Sequence, residues 1–236
     1  MNKIIEIALL ISSIVFLTNE CLGGDNFGTW NTVQVTMDLE EDGLYAGVSE
    51  ESRIGTRSGE SPKRMDEFHT TAFLDWKLFD WMTVGVQDDF VLLRDGSDKR
   101  YKRDERPGVN IAFSQSLWGF DIMNRSRFVD RDIEGERPHF RYRNLTKLTA
   151  PAVFHAWGRP VRPYASYEWY FDEGSKDREI RKNDKFGQFW TDFGLQISIY
   201  DGINMAVFYR LVEIKSTESH DWSPVHVVGI GAYMLF

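Results

Sequence analysis

Cysteine is nearly absent. Cys21 is the only one in 236 residues, which excludes a disulfide framework and a thiolate metal cluster. Positive charge is not in excess: 28 Lys and Arg stand against 36 Asp and Glu, a net charge of −8, which argues against a nucleic-acid partner. Beyond residue 24 no apolar run approaches the length of a spanning helix, and helical periodicity is nearly missing after residue 25. At 42% hydrophobic and 27% charged, the chain is too mixed for a helical membrane protein and too apolar for a disordered one. Aromatic residues, at 14%, are abundant.

The first segment reads as an address. Lys3 gives a short basic start, residues 7–17 are apolar apart from Ser12 and Ser13, and Gly23 and Gly24 supply small residues for cleavage. The run is too short to span a bilayer as a helix. Glu20 stands where a lipoprotein signal wants a small residue, so Cys21 is not read as a lipid anchor. Residues 1–23 are therefore expected to be a cleaved secretory signal, and 24–236 a single domain.

Period-2 alternation fills the rest. Val33, Val35, Met37 and Leu39 alternate with Thr32, Gln34, Thr36 and Asp38. Similar runs lie near residues 44–53, 68–77, 82–87, 109–114, 120–127, 140–143, 165–171, 192–199, 205–211 and 225–236. That makes eleven candidate strands, most near the ~9–11 residues that a tilted membrane-spanning strand needs.

Two patterns favour a membrane barrel over a soluble sandwich. Connections alternate between short (40–43, 79–81, 118–119, 201–202 and the longer 151–160) and long, charged ones. Residues 94–106 carry ten charges in thirteen positions and 172–185 ten in fourteen; 57–67, 130–139 and 213–222 are similar. Outer-membrane barrels pair short periplasmic turns with long outer loops. The aromatics Trp76, Phe79, Trp81, Trp118, Phe120, Trp157, Tyr200 and Phe236 gather at the short-turn end, where a girdle at the membrane–water interface belongs. At the C-terminus, Gly231, Met234 and Phe236 fit the spacing of the signal read by the barrel-assembly machinery.

The expected fold is an all-β, antiparallel, up-and-down transmembrane β-barrel of ten to twelve strands. Even strand numbers are usual in bacterial single-chain barrels, so ten strands from residue 44 onward, with 25–40 as an extra N-terminal segment, are preferred.

Short strings in a fixed order carry a family resemblance: Glu105-Arg106-Pro107, Asn124-Arg125-Ser126-Arg127, Arg141-Tyr142-Arg143-Asn144, and Pro163-Tyr164 followed by Glu168. Over most of residues 30–236 the chain resembles the bacterial outer-membrane family called domain of unknown function 2490. Asn183-Asp184-Lys185 departs from the Asn-Arg pair expected before the third-last strand. The resemblance implies an outer-membrane barrel and no particular activity.

The polar face of the central strands is unusually charged. Glu51, Arg53, Arg125, Arg127, Arg141, Arg143, Lys147, Glu168 and Arg210, with Asp75, Asp89 and Asp192, are expected to point into a narrow lumen. There they either interlock as ion pairs or line a passage that selects anions. No catalytic set stands out. His69 has Thr71 two positions on, but no Asp or Asn orienting partner is identifiable; His139, His155, His220 and His226 lack a nucleophile in a suitable setting. Gly229 and Gly231 read as strand glycines, since no helix follows them. Asp130, Asp132 and Glu134 are interleaved with Arg131, against a Ca²⁺ loop. No cofactor or metal is expected. The expected partners are outer-membrane lipid and lipopolysaccharide, and the assembly machinery during biogenesis. The leading reading is a structural barrel or narrow pore with a charged lumen. The alternatives are a lipid- or lipopolysaccharide-modifying barrel enzyme and a soluble periplasmic lipocalin-like binder.

Overall fold

The structure, a computed structural model, describes residues 27–40, 43–55, 64–94, 100–173, 186–215 and 222–236. The expected signal at 1–23, with Cys21, lies outside the described residues, as do His220 and residues 183–185.

The alternating segments become β1 (Phe27–Glu40), β2 (Leu44–Gly55), β3 (Arg64–Phe79), β4 (Met82–Arg94), β5 (Tyr101–Leu117) and β6 (Phe120–Ile133). They continue with β7 (His139–Thr149), β8 (Phe154–Ala156), β9 (Arg159–Glu173), β10 (Phe186–Tyr200), β11 (Ile203–Lys215) and β12 (Trp222–Leu235). Each wall strand pairs antiparallel with the next, up and down, and β9 joins β7 to β10. The short β8 pairs only with the start of β9 and stands outside the ring, so the connection at 151–160 is a small hairpin.

Eleven strands form the ring, and β12 closes it against β1. That closing pair is parallel, from Phe27 opposite His226 to Thr36 opposite Leu235. In an up-and-down ring direction flips at every step, so an odd number leaves the first and last strands pointing the same way. Eleven lies within the expected ten to twelve. The N-terminal segment set apart from a ten-stranded wall is itself a wall strand. Closure leaves no unpaired edge, which a barrel in hydrocarbon requires.

Turn chemistry explains the tight end. Trp118-Gly119 and Trp157-Gly158 take positive φ at both central positions (52° and 82°; 53° and 75°), the twist-matched geometry of two-residue hairpins. The hairpins β1–β2, β3–β4 and β10–β11 instead shift register just before the turn, at Asp38/Glu40, Lys77/Phe79 and Ser198/Tyr200.

The outward face is apolar and bare. Met37, Leu39, Val48, Leu74, Val86, Val109, Leu195 and Val207 are all exposed. So many exposed large apolar groups, around a polar interior, make a lipid face. The tryptophans at the short-turn end are exposed too, with Trp118 at 88% and Trp157 at 91%. A second outward belt lies toward the long-loop end, through Phe128, Phe140, Tyr142 and Trp169, with rings 4.9 to 6.2 Å apart. Sequence reasoning found the first belt and missed the second.

Candidate functional site

Strand register decides what meets inside. Because partners across a ladder share a face, the pairs Glu51–His69, His69–Val91 and Val91–Asp104 put all four residues in the lumen. The pairs Trp30–Arg53, Arg127–Arg143, Arg143–Tyr170 and Glu168–Trp190 bring in the central residues. Glycines on this face make room for rings on the neighbouring strand. Gly229 lies across from Phe208, whose ring would stand 2.1 Å from an added Cβ.

At mid-height the lumen is filled. Trp30, Tyr170, Trp190, Phe208, Val212 and Val227 form one buried cluster, with Trp30 4.8 Å and Tyr170 4.6 Å from the Trp190 ring. Three guanidinium groups converge on Trp190: Arg53 at 5.0 Å, Arg210 at 4.8 Å and Arg143 at 5.5 Å from the ring centroid. Each also holds a carboxylate. Arg53 donates to Glu51 at 2.5 Å and to Glu67 at 2.6 Å. Arg210 grips Asp192 with two N–H groups, at 2.5 and 2.7 Å. Arg143 reaches Glu168 at 2.9 Å, and the Tyr170 hydroxyl donates to the same carboxylate at 2.9 Å. These pairs gather on one ring, so the charges neutralise one another while the packed side chains fill the centre.

Above this layer, toward the long loops, the lumen is tightly enclosed. Asp104 has no exposed surface; its Oδ2 accepts from Arg106 at 2.7 and 2.9 Å and from Arg131. Arg141 grips Asp172 with two N–H groups, at 2.5 and 2.7 Å. Below it, toward the short turns, most inward side chains are only half-buried. Arg125 lies here, and Arg127 stands at the floor of the layer, level with Arg143 across the ladder. Neither makes a hydrogen bond or ion pair among the described residues; the Nε of each is shut off from solvent without an acceptor. Lys147 donates to Gln196 at 3.4 Å and sits 4.2 Å over the Tyr164 ring. Asp75 accepts from Asn110 at 3.1 Å and Asp89 from Gln87 at 3.0 Å.

A family model described as "Protein of unknown function (DUF2490)" matches residues 27–223. The chain belongs to the DUF2490 family. Two solved structures share the fold of this DUF2490 barrel. One is the NanC porin in a rhombohedral crystal form: 13% identity, TM-score 0.50, covering 88% of this chain and 96% of that one. The other is LpxR from Salmonella typhimurium: 10% identity, TM-score 0.51, covering 86% of this chain and 87% of that one. At such identities the likeness shows the outer-membrane-type barrel fold alone. No curated protein matches.

In this DUF2490 chain, the register places Glu51, Arg53, Arg125, Arg127, Arg141, Arg143, Lys147, Glu168 and Arg210 on the inward face, as it does Asp75, Asp89 and Asp192. Gly231 faces inward with Ala206, whereas Met234 and Phe236 fall on the opposite, outward side. Phe236 is tied to β1 by backbone bonds to Thr36 and Asp38. His69 has an orienting partner after all. Its Nε2 lies 2.9 Å from Glu67, so the carboxylate is a Glu two residues back rather than an Asp or Asn. Glu67, Asp104, Arg106, Arg131, His139 and Asp172 fall in stretches whose charge density reads as loop in the sequence. They are strand residues pointing inward, because β3, β5, β6, β7 and β9 run farther than hydropathy alone suggests. Among the described residues no group of three or more His, Cys, Asp or Glu could hold a metal ion.

Proposed function

We propose that the protein is an outer-membrane β-barrel that serves as a closed, rigid wall rather than an open pore. One observation carries this reading: the guanidinium groups of Arg53, Arg143 and Arg210, each tied to a carboxylate, converge on the single buried ring of Trp190. Removing such a layer leaves buried charges without partners, so the filled state is the stable one. In this reading residues 1–23 direct export and are cleaved. The assembly machinery reads Gly231, Met234 and Phe236 on the last strand. The short turns face the periplasm, the long charged loops meet lipopolysaccharide, and the exposed aromatic belts sit at the two interfaces.

The test is electrical. Wild-type protein, folded by the criterion of altered gel mobility before boiling, is reconstituted in planar bilayers. No steady conductance is expected. Trp190→Ala, which removes the common platform, is expected to admit flickering currents. Steady ohmic conductance from the wild type would overturn the closed-wall reading.

A further inference from the structure

We propose that the short-turn half of the lumen holds an anion site, built on Arg125, Arg127 and Lys147, that takes one oxyanion group, carboxylate or phosphate, from the solution at that end. The inference rests on the closed-wall reading only for its direction of entry, since the lumen above is sealed.

Pairing is the rule for lumen arginines. Arg53, Arg106, Arg131, Arg141, Arg143 and Arg210 each hold a carboxylate at 2.9 Å or closer. Arg125 and Arg127 are the departures. They stand two apart on β6, so both point inward, and the Nε of each is buried with no acceptor. Glu168 does not serve them, because Arg143 and Tyr170 occupy it. The remaining acids in electrostatic reach are Asp75 and Asp89, and these accept from Asn110 and Gln87 instead. Lys147 lies across from Met123, two residues from Arg125 on the same face, and among the described residues its hydrogen-bond acceptor is the Gln196 amide.

Asp192, the carboxylate in reach of Lys147, is held by Arg210. The three cations are thus left with two carboxylates that do not touch them, a surplus of one positive charge. Two neighbouring buried Nε donors without acceptors, on one half-buried stretch of the inner wall, favour an acceptor that presents several oxygens on one small group. A carboxylate or phosphate does this, and a guanidinium fork binds either through two parallel hydrogen bonds. Arg143, adjacent to Arg127 across the strands, adds to the local positive field while keeping its own partner.

The mature full-length protein in detergent micelles, in a zwitterionic buffer low in chloride, is titrated calorimetrically with inorganic phosphate. Saturable binding of one phosphate per barrel is expected, displaced by acetate. Arg125→Gln and Arg127→Gln are each expected to weaken it about tenfold, the effect of losing a hydrogen bond to a charged partner. The outward Arg103→Gln leaves it unchanged. Because these substitutions relieve like-charge crowding, both variants should keep the gel-mobility shift. Should either fail to fold, Arg125→Lys keeps the charge, loses the fork and should bind with intermediate affinity. Absence of saturable binding by the folded wild type, or binding that survives in the double variant, overturns the site. A steady conductance with phosphate binding intact would remove the closed wall and leave the site standing.

Discussion

Asp104 has no exposed surface, and its Oδ2 alone receives three guanidinium N–H groups from Arg106 and Arg131. Asp104→Asn would leave two buried cations on one carboxamide. Breaking a buried pair from one side costs about 3–5 kcal/mol, so the urea midpoint in micelles should fall sharply, as followed by tryptophan fluorescence. A midpoint within error of wild type would mean that water reaches these groups. Trp118 poses the opposite case. It is held at φ 52°, a left-handed backbone that an L-residue other than Gly or Asn adopts at a cost of about 1–2 kcal/mol, and its side chain packs against almost nothing. Trp118→Asn keeps the hairpin twist and should raise the midpoint in micelles. If it lowers the midpoint, the indole's contact with the amphiphile interface outweighs the backbone cost.

The parallel seam between β1 and β12 can be tested with the chain's own lack of cysteine beyond Cys21. Val33 and Ala232 are register partners, so Val33→Cys with Ala232→Cys should oxidise to an intramolecular disulfide. A pair displaced along the ladder, Val33→Cys with Met234→Cys, should not. Cross-linking of the displaced pair alone would refute the register. How much of these elements could be read from sequence depends on their surroundings. In the lower wall one face meets lipid and the other a polar lumen, so Leu74 and Trp76 alternate plainly with Asp75 and Lys77. Higher up, β5 begins Tyr101-Lys102-Arg103-Asp104-Glu105-Arg106, with ion pairs inside and solvent outside. Both faces are charged there, hydropathy contrast vanishes, and strand looks like loop. Asp104 and Arg106 were thus invisible as lumen residues, while Arg127, Arg143 and Glu168, each next to an outward aromatic (Phe128, Tyr142, and Tyr167 with Trp169), were not. The parallel closure was illegible for another reason: it joins residues 27–36 to 226–235, and neither segment carries a local mark of its partner.

Protein from the outer-membrane fraction should run at a different apparent mass before and after boiling, because a ring with every backbone group paired resists detergent. Phe236→Ser should reduce the amount of folded barrel recovered from that fraction several-fold; unchanged recovery would dissociate the terminal aromatic from assembly. The odd strand number has one more consequence. Since β1 and β12 travel in the same direction, the chain enters the wall at one rim and leaves it at the other: Phe27 stands beside His226 at the long-loop end, and Phe236 beside Thr36 at the short-turn end. An even-stranded barrel brings both ends out on one side. In the proposed orientation, an epitope joined ahead of Phe27 would be displayed to antibody on intact cells, while one joined after Phe236 would stay hidden until the envelope is opened, so one polypeptide could be tagged independently on the two sides of a membrane.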